Sequence, residues 1–334
     1  MVSPSHPIIR LLQVVDEVYP KTKTRKKRGK PLVYSELVMV KIMLVMLLKK
    51  IKKYKQLERY LNLNPTIAKA CGIECSPHRK TLKHRIEGLP KKMRKRIRSV
   101  SRKLCKTLDY YPKSCAIDSS LLVACGPLWH KKDRKKKHIP KGLRNVDTES
   151  MWGFSPTRGW VQGYKGHAVT TADPLSDIIP TDSDLTCANV ADNIPAPSFI
   201  KQLPVSVKYL MADGIYDDQK LIDQCEQRKN GKYITRRLVV PIEIKKHTPP
   251  HRRQYGIWFA SPSAKRIYRQ RSTSVEPFWE RLKRLFEIEP IWKKGKKFAA
   301  ALFQAAVLAY LIVMFVNIGN FNHPADFQAV LGGL

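Results

Sequence analysis

The stretch Phe298–Ile318, FAAALFQAAVLAYLIVMFVNI, carries no charged residue, although the chain holds 63 Lys and Arg against 27 Asp and Glu, a formal net charge of +36. A run this long and this apolar has to leave water, and two placements achieve that. It is long enough to cross a bilayer, with KKGKK on its flank. It equally suits the centre of a globular core, where Gln304, Asn317 and an Ala-rich first half are at home. The expectation is a helix buried against a sheet, with a membrane-tethered basic protein as the alternative.

At 334 residues the chain can bury a sizeable core, and its length suggests two domains. The charge points to a polyanionic partner, nucleic acid ahead of an anionic membrane surface, because neutralising phosphates releases condensed counterions. Seven cysteines, an odd number without a regular framework, suit free thiols in a reducing compartment. Met1–Val15 mixes Pro4, His6, Pro7 and Arg10 into its apolar residues and does not read as a secretory signal. The expected location is cytoplasmic, associated with the nucleoid.

Residues 1–110 read as helical and basic. Lys21–Lys30 is a charge run, a solvated loop or a phosphate-tracking arm. Ser35 offers an N-cap to ELVMVKIMLVMLLKKI, whose apolar residues fill more than one face and predict a buried helix. Helices near 54–61 and 66–71 follow, and Ser76 with Pro77 supplies a start for HRKTLKHRIEGL. Arg79, Lys80, Lys83 and His84 share one face of that segment, which resembles the second helix of a helix-turn-helix or a merely basic surface helix. A basic helix at 91–106 ends before Pro112, and a domain boundary is placed near 110.

Beyond it the apolar runs shorten and alternate: 115–123, 164–171, 178–186, 207–212 and 232–240 read as strands, with helices near 190–202 and 218–228 and again after 274. This order predicts a mixed α/β sheet over 111–320, followed by a tail, 321–334. Acids sit at unusual places in it. Asp118 lies within the first apolar run and Asp213 ends the strand VKYLMA, where capping the next turn is the alternative reading. Glu276 begins a helix for which Ser274 offers a cap. Converging carboxylates suit hard cations, which offset their repulsion and support in-line displacement at phosphorus.

Taken together, AIDSS at Asp118, GYKGH at 163–167, LTCANVAD at 185–192, MADGIYDD at Asp213 and VEPFWERLK at Glu276 resemble the DDE transposases of bacterial and archaeal insertion sequences. The resemblance implies a ribonuclease H-like catalytic domain behind an all-helical DNA-binding region. It implies Asp118, Asp213 and Glu276 as catalytic metal ligands for Mg²⁺, two ions, with Mn²⁺ as a substitute. It further implies double-stranded DNA as partner, both element ends and target, a homodimer in the synaptic complex and no small-molecule substrate. Water attacks the end phosphodiester and the freed 3′-hydroxyl then attacks target DNA. Lys283, seven positions after Glu276, contacts phosphate. In the family pattern an Arg stands four positions before the Glu and a Tyr three before that Arg; here Arg271 and Tyr268 each stand one position further upstream, and read either as phosphate contacts or as ordinary surface residues. The interval between Asp213 and Glu276 leaves no room for a large inserted domain. A catalytically inactive DNA-binding derivative is the remaining alternative, and the presence of all three acids argues against it.

Overall fold

In a chain this charged, the positions that avoid water decide the architecture. The structure is a computed structural model describing residues 6–20, 33–174, 176–226 and 236–333, with the backbone of 228–229 and 232–233; the Lys21–Lys30 run lies outside the described residues. Helices come first: α1 (Pro7–Val18), α2 (Glu36–Leu48), α3 (Tyr54–Leu63), α4 (Pro65–Cys71), α5 (Arg79–Glu87) and α6 (Pro90–Thr107). Ser35 caps α2 as expected, its hydroxyl accepting from the Val38 N–H at 3.2 Å. Apolar all round, α2 is buried along most of its length. Even Lys41 is inside, its ammonium donating to Asp16 at 2.5 Å and to the Ala70 carbonyl at 2.8 Å. The start of α5 corrects the expectation. His78, not Ser76, is the N-cap, its Nδ1 accepting from the Lys80 N–H at 3.4 Å, while the Ser76 hydroxyl turns to the Pro77 carbonyl.

The second part is built on a sheet of β1 (Ser114–Val123), β2 (Met151–Ser155), β3 (Gly159–Thr171), β4 (Pro180–Cys187), β5 (Tyr209–Met211) and β8 (Arg237–Val239), with a small hairpin of β6 (Arg228–Lys229) and β7 (Lys232–Tyr233) apart from it. Between and after the strands come α7 (Lys131–Lys135), α8 (Ala196–Ile200), α9 (Gln219–Cys225), α10 (Pro250–Ala260), α11 (Pro262–Arg269), α12 (Val275–Phe286), α13 (Lys296–Gly319) and α14 (Phe327–Leu331). Strand β3 is antiparallel to β1 on one side and, on the other, to β2 and β4 placed end to end; β5 and β8 run parallel to β1. This is the expected mixed, ribonuclease H-like sheet. The hairpin partner β2 was not expected, since a five-residue strand with a central glycine gives little alternation. The helix expected over 190–202 is confined to Ala196–Ile200, among prolines at 195 and 197, and the strand expected over 232–240 pairs with β5 only at 237–239.

Two glycines of the GYKGH motif have steric reasons. A Cβ on Gly163 would lie 1.9 Å from the Leu122 carbonyl oxygen, and one on Gly166 would press at 3.1 Å on the rings of Trp279 and Phe303. Those rings belong to α12 and α13, so Gly166 is where helices settle on the sheet.

Alternation along β1 divides the interior. Cys115 and Ile117 face α8 and α9, packing with Phe199, Leu221 and Ile222. Ala116 and Leu122 face α12, α13 and the N-terminal helices, all in one continuous apolar core. The uncharged stretch forms α13 at the centre of that core, and 89% of its most apolar window is buried in protein. Phe303 stacks on Trp279 with centroids 5.8 Å apart. Two polar residues of α13 are tied to their surroundings: Gln304 exchanges hydrogen bonds with Ser183, and the Asn317 amide N–H groups donate to the carbonyls of Pro324 and Asp326. Residues before 110 therefore share their core with the sheet rather than owning a separate one. A polar clasp adds to this, since Arg94 of α6 donates twice to Asp182 at 2.9 Å and once to Asp184 at 2.5 Å on β4, while its guanidinium lies over Phe199.

Phe303→Ala is expected to lower the free energy of unfolding by about 3–5 kcal/mol, the usual cost of emptying a buried aromatic site. Urea unfolding followed by circular dichroism reads it. A loss below about 1 kcal/mol would mean that α13 is not packed as described.

Candidate active site

The parallel pairing of β1 with β5 sets Ser114, Cys115 and Ala116 beside Tyr209, Leu210 and Met211. Continuing that register by two residues sets Asp118 beside Asp213, on strands about 4.8 Å apart. Side chains alternate between faces, and Ala116 and Met211 both belong to the core under α13. Asp118 and Asp213 therefore point to that same face. At Asp213 the strand has ended, and Asp213 opens a 3₁₀ turn, Gly214–Tyr216, its Oδ1 accepting from the Ile215 N–H at 3.0 Å. The capping role and the position beside Asp118 coexist, because one carboxylate has lone pairs for both.

Glu276 arrives from α12. Ser274, expected to cap that helix, makes no side-chain cap hydrogen bond; its hydroxyl is buried, donating to the Thr171 carbonyl at 2.6 Å and lying 2.8 Å from Thr170 Oγ1. Anchoring on β3 wins over capping, and it places the first turn of α12, with Glu276, against the sheet. Just before it, the turn closes when the N–H groups of Ser274 and Val275 both donate to the Arg271 carbonyl at 3.1 Å. Arg271 is brought into the site. Its Nη2 lies 3.3 Å from Asp118 Oδ1 and its Nη1 donates to Glu276 Oε1 at 3.2 Å. The one-residue displacement from the family spacing is absorbed in the turn between α11 and α12. Tyr268, at the end of α11, packs its ring on Phe259 with centroids 5.4 Å apart and feels the charges of Arg271, Asp213, Asp118 and Glu276.

Electrostatics follow from this crowding. Burial pushes the Asp118 carboxyl up to about 6; Arg271 pulls it down and Asp213 pushes it further up. Asp213 is also raised, mainly by burial, against the pull of the Ile215 N–H and Arg271. Burial opposes the Arg271 charge, but Asp118, Tyr268, Asp213 and Glu276 outweigh it and raise its pKa. Burial likewise raises Tyr268, keeping its hydroxyl protonated and able to donate.

Whether these residues fit a divalent ion can be judged from the donor set. Among the described residues no group of three or more His, Cys, Asp or Glu is close enough to hold an ion as it stands, and the Arg271 guanidinium lies against Asp118 and Glu276. The chemistry nevertheless fits: the donors are hard carboxylate oxygens from three elements, and burial raises Asp118 and Asp213 despite Arg271, so added positive charge is favoured. Asp118, Asp213 and Glu276 are the residues able to hold such an ion.

The other expected contacts divide. Lys283 lies on α12, donating to the Leu121 carbonyl at 2.9 Å and pairing with Glu289 at 3.0 Å. Arg79, Lys80 and Lys83 are exposed on α5, whose Leu82 and Ile86 are buried, with Lys83 near Lys293 rather than the carboxylates. Sequence reasoning missed Glu289, which holds both Lys283 and Arg158 and accepts from the Val123 N–H. It also missed the braces of the Asp213 loop, Asn193 to Asp218 at 3.2 Å and Arg252 to Asp217 at 2.5 Å. His167 is fully buried on β3, its Nε2 2.8 Å from Thr186 Oγ1 on β4, and burial pushes it down to about 4.

Residues 112–312, more than half of the chain, match a family model described as a transposase DDE domain, and residues 1–87 match one described as a transposase domain, DUF772. Among solved structures, a piggyBac transposase synaptic complex with hairpin DNA is 10% identical, with 98% of this chain and 78% of that chain covered and a TM-score of 0.42. A pre-cleavage Mos1 transpososome is 11% identical, with 85% and 79% covered and a TM-score of 0.20. No curated protein matches the chain.

Because a cation beside a carboxylate favours its ionised form, Arg271→Met is expected to raise the Asp118 pKa above its value of about 6. Carboxyl ¹³C NMR titration of the metal-free protein measures it. An unchanged or lowered value would show that Arg271 does not act on Asp118.

Proposed function

Since this chain belongs to the transposases with a DDE domain, we propose that Asp118, Asp213 and Glu276 are the carboxylates with which it cuts DNA at the ends of its mobile element and joins those ends to a target. The chain is a DNA transposase, an enzyme of DNA cleavage and strand transfer. The observation that carries the residue assignment is the β1–β5 register, which sets Asp118 and Asp213 side by side on the face where Arg271 gathers Asp118 and Glu276.

The family works with divalent metal; here Mg²⁺ is proposed, two ions, with Mn²⁺ able to substitute. Held by the three carboxylates, it would supply positive charge to polarise the phosphodiester and ease deprotonation of the attacking hydroxyl. The chain's own groups do the rest. Arg271 offers a planar donor pair suited to phosphate oxygens, and Tyr268 a protonated hydroxyl beside it. Lys283 would take a phosphate in exchange for Glu289. The braces on Asp217 and Asp218 hold the Asp213 loop in place, and burial between sheet and α12 limits water. Arg79, Lys80 and Lys83 are proposed to meet element-end DNA, in a homodimer that brings two ends together. The charge of +36 suits an enzyme working on DNA at the nucleoid.

Asp118→Asn, Asp213→Asn and Glu276→Gln are each expected to abolish Mg²⁺-dependent end cleavage while leaving binding to element ends intact. Double substitutions should be no worse than single ones, since ligands of one site act as a unit. Glu280→Gln and Glu287→Gln, whose carboxylates pair instead with Arg284 and Lys50, are the controls. Gel-resolved cleavage of labelled ends reads all five. Near-normal cleavage in any of the first three, or loss in either Glu280→Gln or Glu287→Gln, overturns the assignment.

A further inference from the structure

The far end of the sheet carries an apolar surface that the acid cluster does not use. Phe154 on β2 and Trp160 on β3 are cross-strand partners. They are 60% and 58% exposed, with centroids 5.4 Å apart in edge-to-face contact. Two large rings left side by side in water forgo burial worth having, so the pair is suited to being covered. Its surroundings indicate by what. The Lys131 ammonium lies 2.9 Å from the Trp160 ring centroid, and Lys131 opens α7, where Lys132 and Lys135 are exposed, as are Lys136 and Lys137 just beyond. Cations interleaved with open aromatic rings match a polymer that is both anionic and flat-faced. In a nucleic-acid strand the phosphates meet the lysines and the bases stack on the rings. A duplex covers the faces of its bases with neighbouring bases; an unpaired strand offers them.

The placement relates this surface to the active site. Along β3, Trp160, Gln162, Tyr164, Gly166 and Ala168 share one face, and Ala168 is the register partner of Asp118. The rings thus stand on the face of the acids, about 26 Å along the strand at about 3.3 Å per residue. Between them, Lys283 and Arg158 both approach the Leu121 carbonyl, at 2.9 and 3.5 Å, and share Glu289.

We propose that Phe154 and Trp160, with Lys131, form a stacking platform for an unpaired DNA strand running to or from the acid cluster. The proposal rests on the transposase reading for its partner and adds a surface that selects single strands over duplex.

The test titrates the full-length protein against fluorescein-labelled oligo-dT and a duplex of equal length, by anisotropy over a range of salt. Phe154→Ala with Trp160→Ala should weaken oligo-dT binding by about 5- to 150-fold, the range for one stacked base. Duplex binding and the slope of log K against log salt should be unchanged, since no cation is removed. Trp160→Phe should keep most of the affinity, and a thermal melt like that of the parent confirms that the double variant folds. Lys131→Ala should reduce the oligo-dT salt slope by about 0.7, the value for one phosphate of a single strand. Undiminished oligo-dT binding by the double variant, or equal losses on both DNAs, overturns the platform. A DNA-free dimer in light scattering that the double variant abolishes assigns the rings to a second copy of the chain and overturns it too. Oligo-dT binding is read without cleavage, so its result is independent of whether Asp118→Asn abolishes cleavage.

Discussion

Burial of α13 is the constraint on which the rest depends. A chain of net charge +36 repels itself, and it can fold only if enough apolar surface is gathered in one place to outweigh that repulsion. Here one helix, uncharged from Phe298 to Ile318, lies between the N-terminal helices and the sheet and contacts both, so a single apolar core serves both regions. Most Lys and Arg are left to the outside; Lys41 and Arg94 are inside against carboxylates, and Arg236 is inside donating to the carbonyls of Val207, Ile200 and Pro204. That arrangement also fixes the relative placement of the basic helices and the catalytic sheet. Gly166, Ser274 and Gln304 are small points of attachment in it, each setting a helix on the strands by sterics or by a buried hydrogen bond.

At the candidate active site, carboxylates gather against this background. Neighbouring parallel strands deliver Asp118 and Asp213 at the spacing of the sheet, and packing of α12 brings Glu276 within reach of the same guanidinium. Burial penalises the carboxylates more than Arg271 relieves them, which is why Asp118 and Asp213 are raised rather than lowered. A site in that condition favours added positive charge, and a guanidinium already present favours added phosphate. The substrate therefore meets a pocket of mixed sign within a surface of overwhelmingly positive sign. Long-range attraction and local chemistry are carried by different residues.

Much of this was legible in the sequence, because it depends on short-range pattern. Alternation revealed β1, the second half of β3, β4 and β5; a capping serine and all-round apolarity revealed α2; and the order of the acid motifs revealed the catalytic sheet. Less legible was whatever depends on contacts distant in sequence. β2 exists only because β3 extends past β4 and offers it an edge. Ser274 looked like a cap, and His78 did not, because capping is a competition that neighbouring strands and loops decide. Glu289 is one acid among many in sequence and becomes notable only where Lys283, Arg158 and the Val123 N–H meet on it.

The sequence by itself determined the chemistry: which acids end or open regular elements, which stretch must leave water, and what sort of polymer so much positive charge attracts. Composition, periodicity and local motif carry those properties whatever the chain packs against. Tertiary structure alone decided whether the uncharged stretch met lipid or protein, since length and hydropathy are the same in both and only the surrounding helices and sheet supply the cover. It decided as well that Arg271, displaced by one residue from the family spacing, still meets Asp118 and Glu276, because a turn can absorb a residue without moving its ends. And it decided that Asp118 and Asp213, distant in sequence, are neighbours, which follows from strand register, a property of pairing that neither strand holds alone.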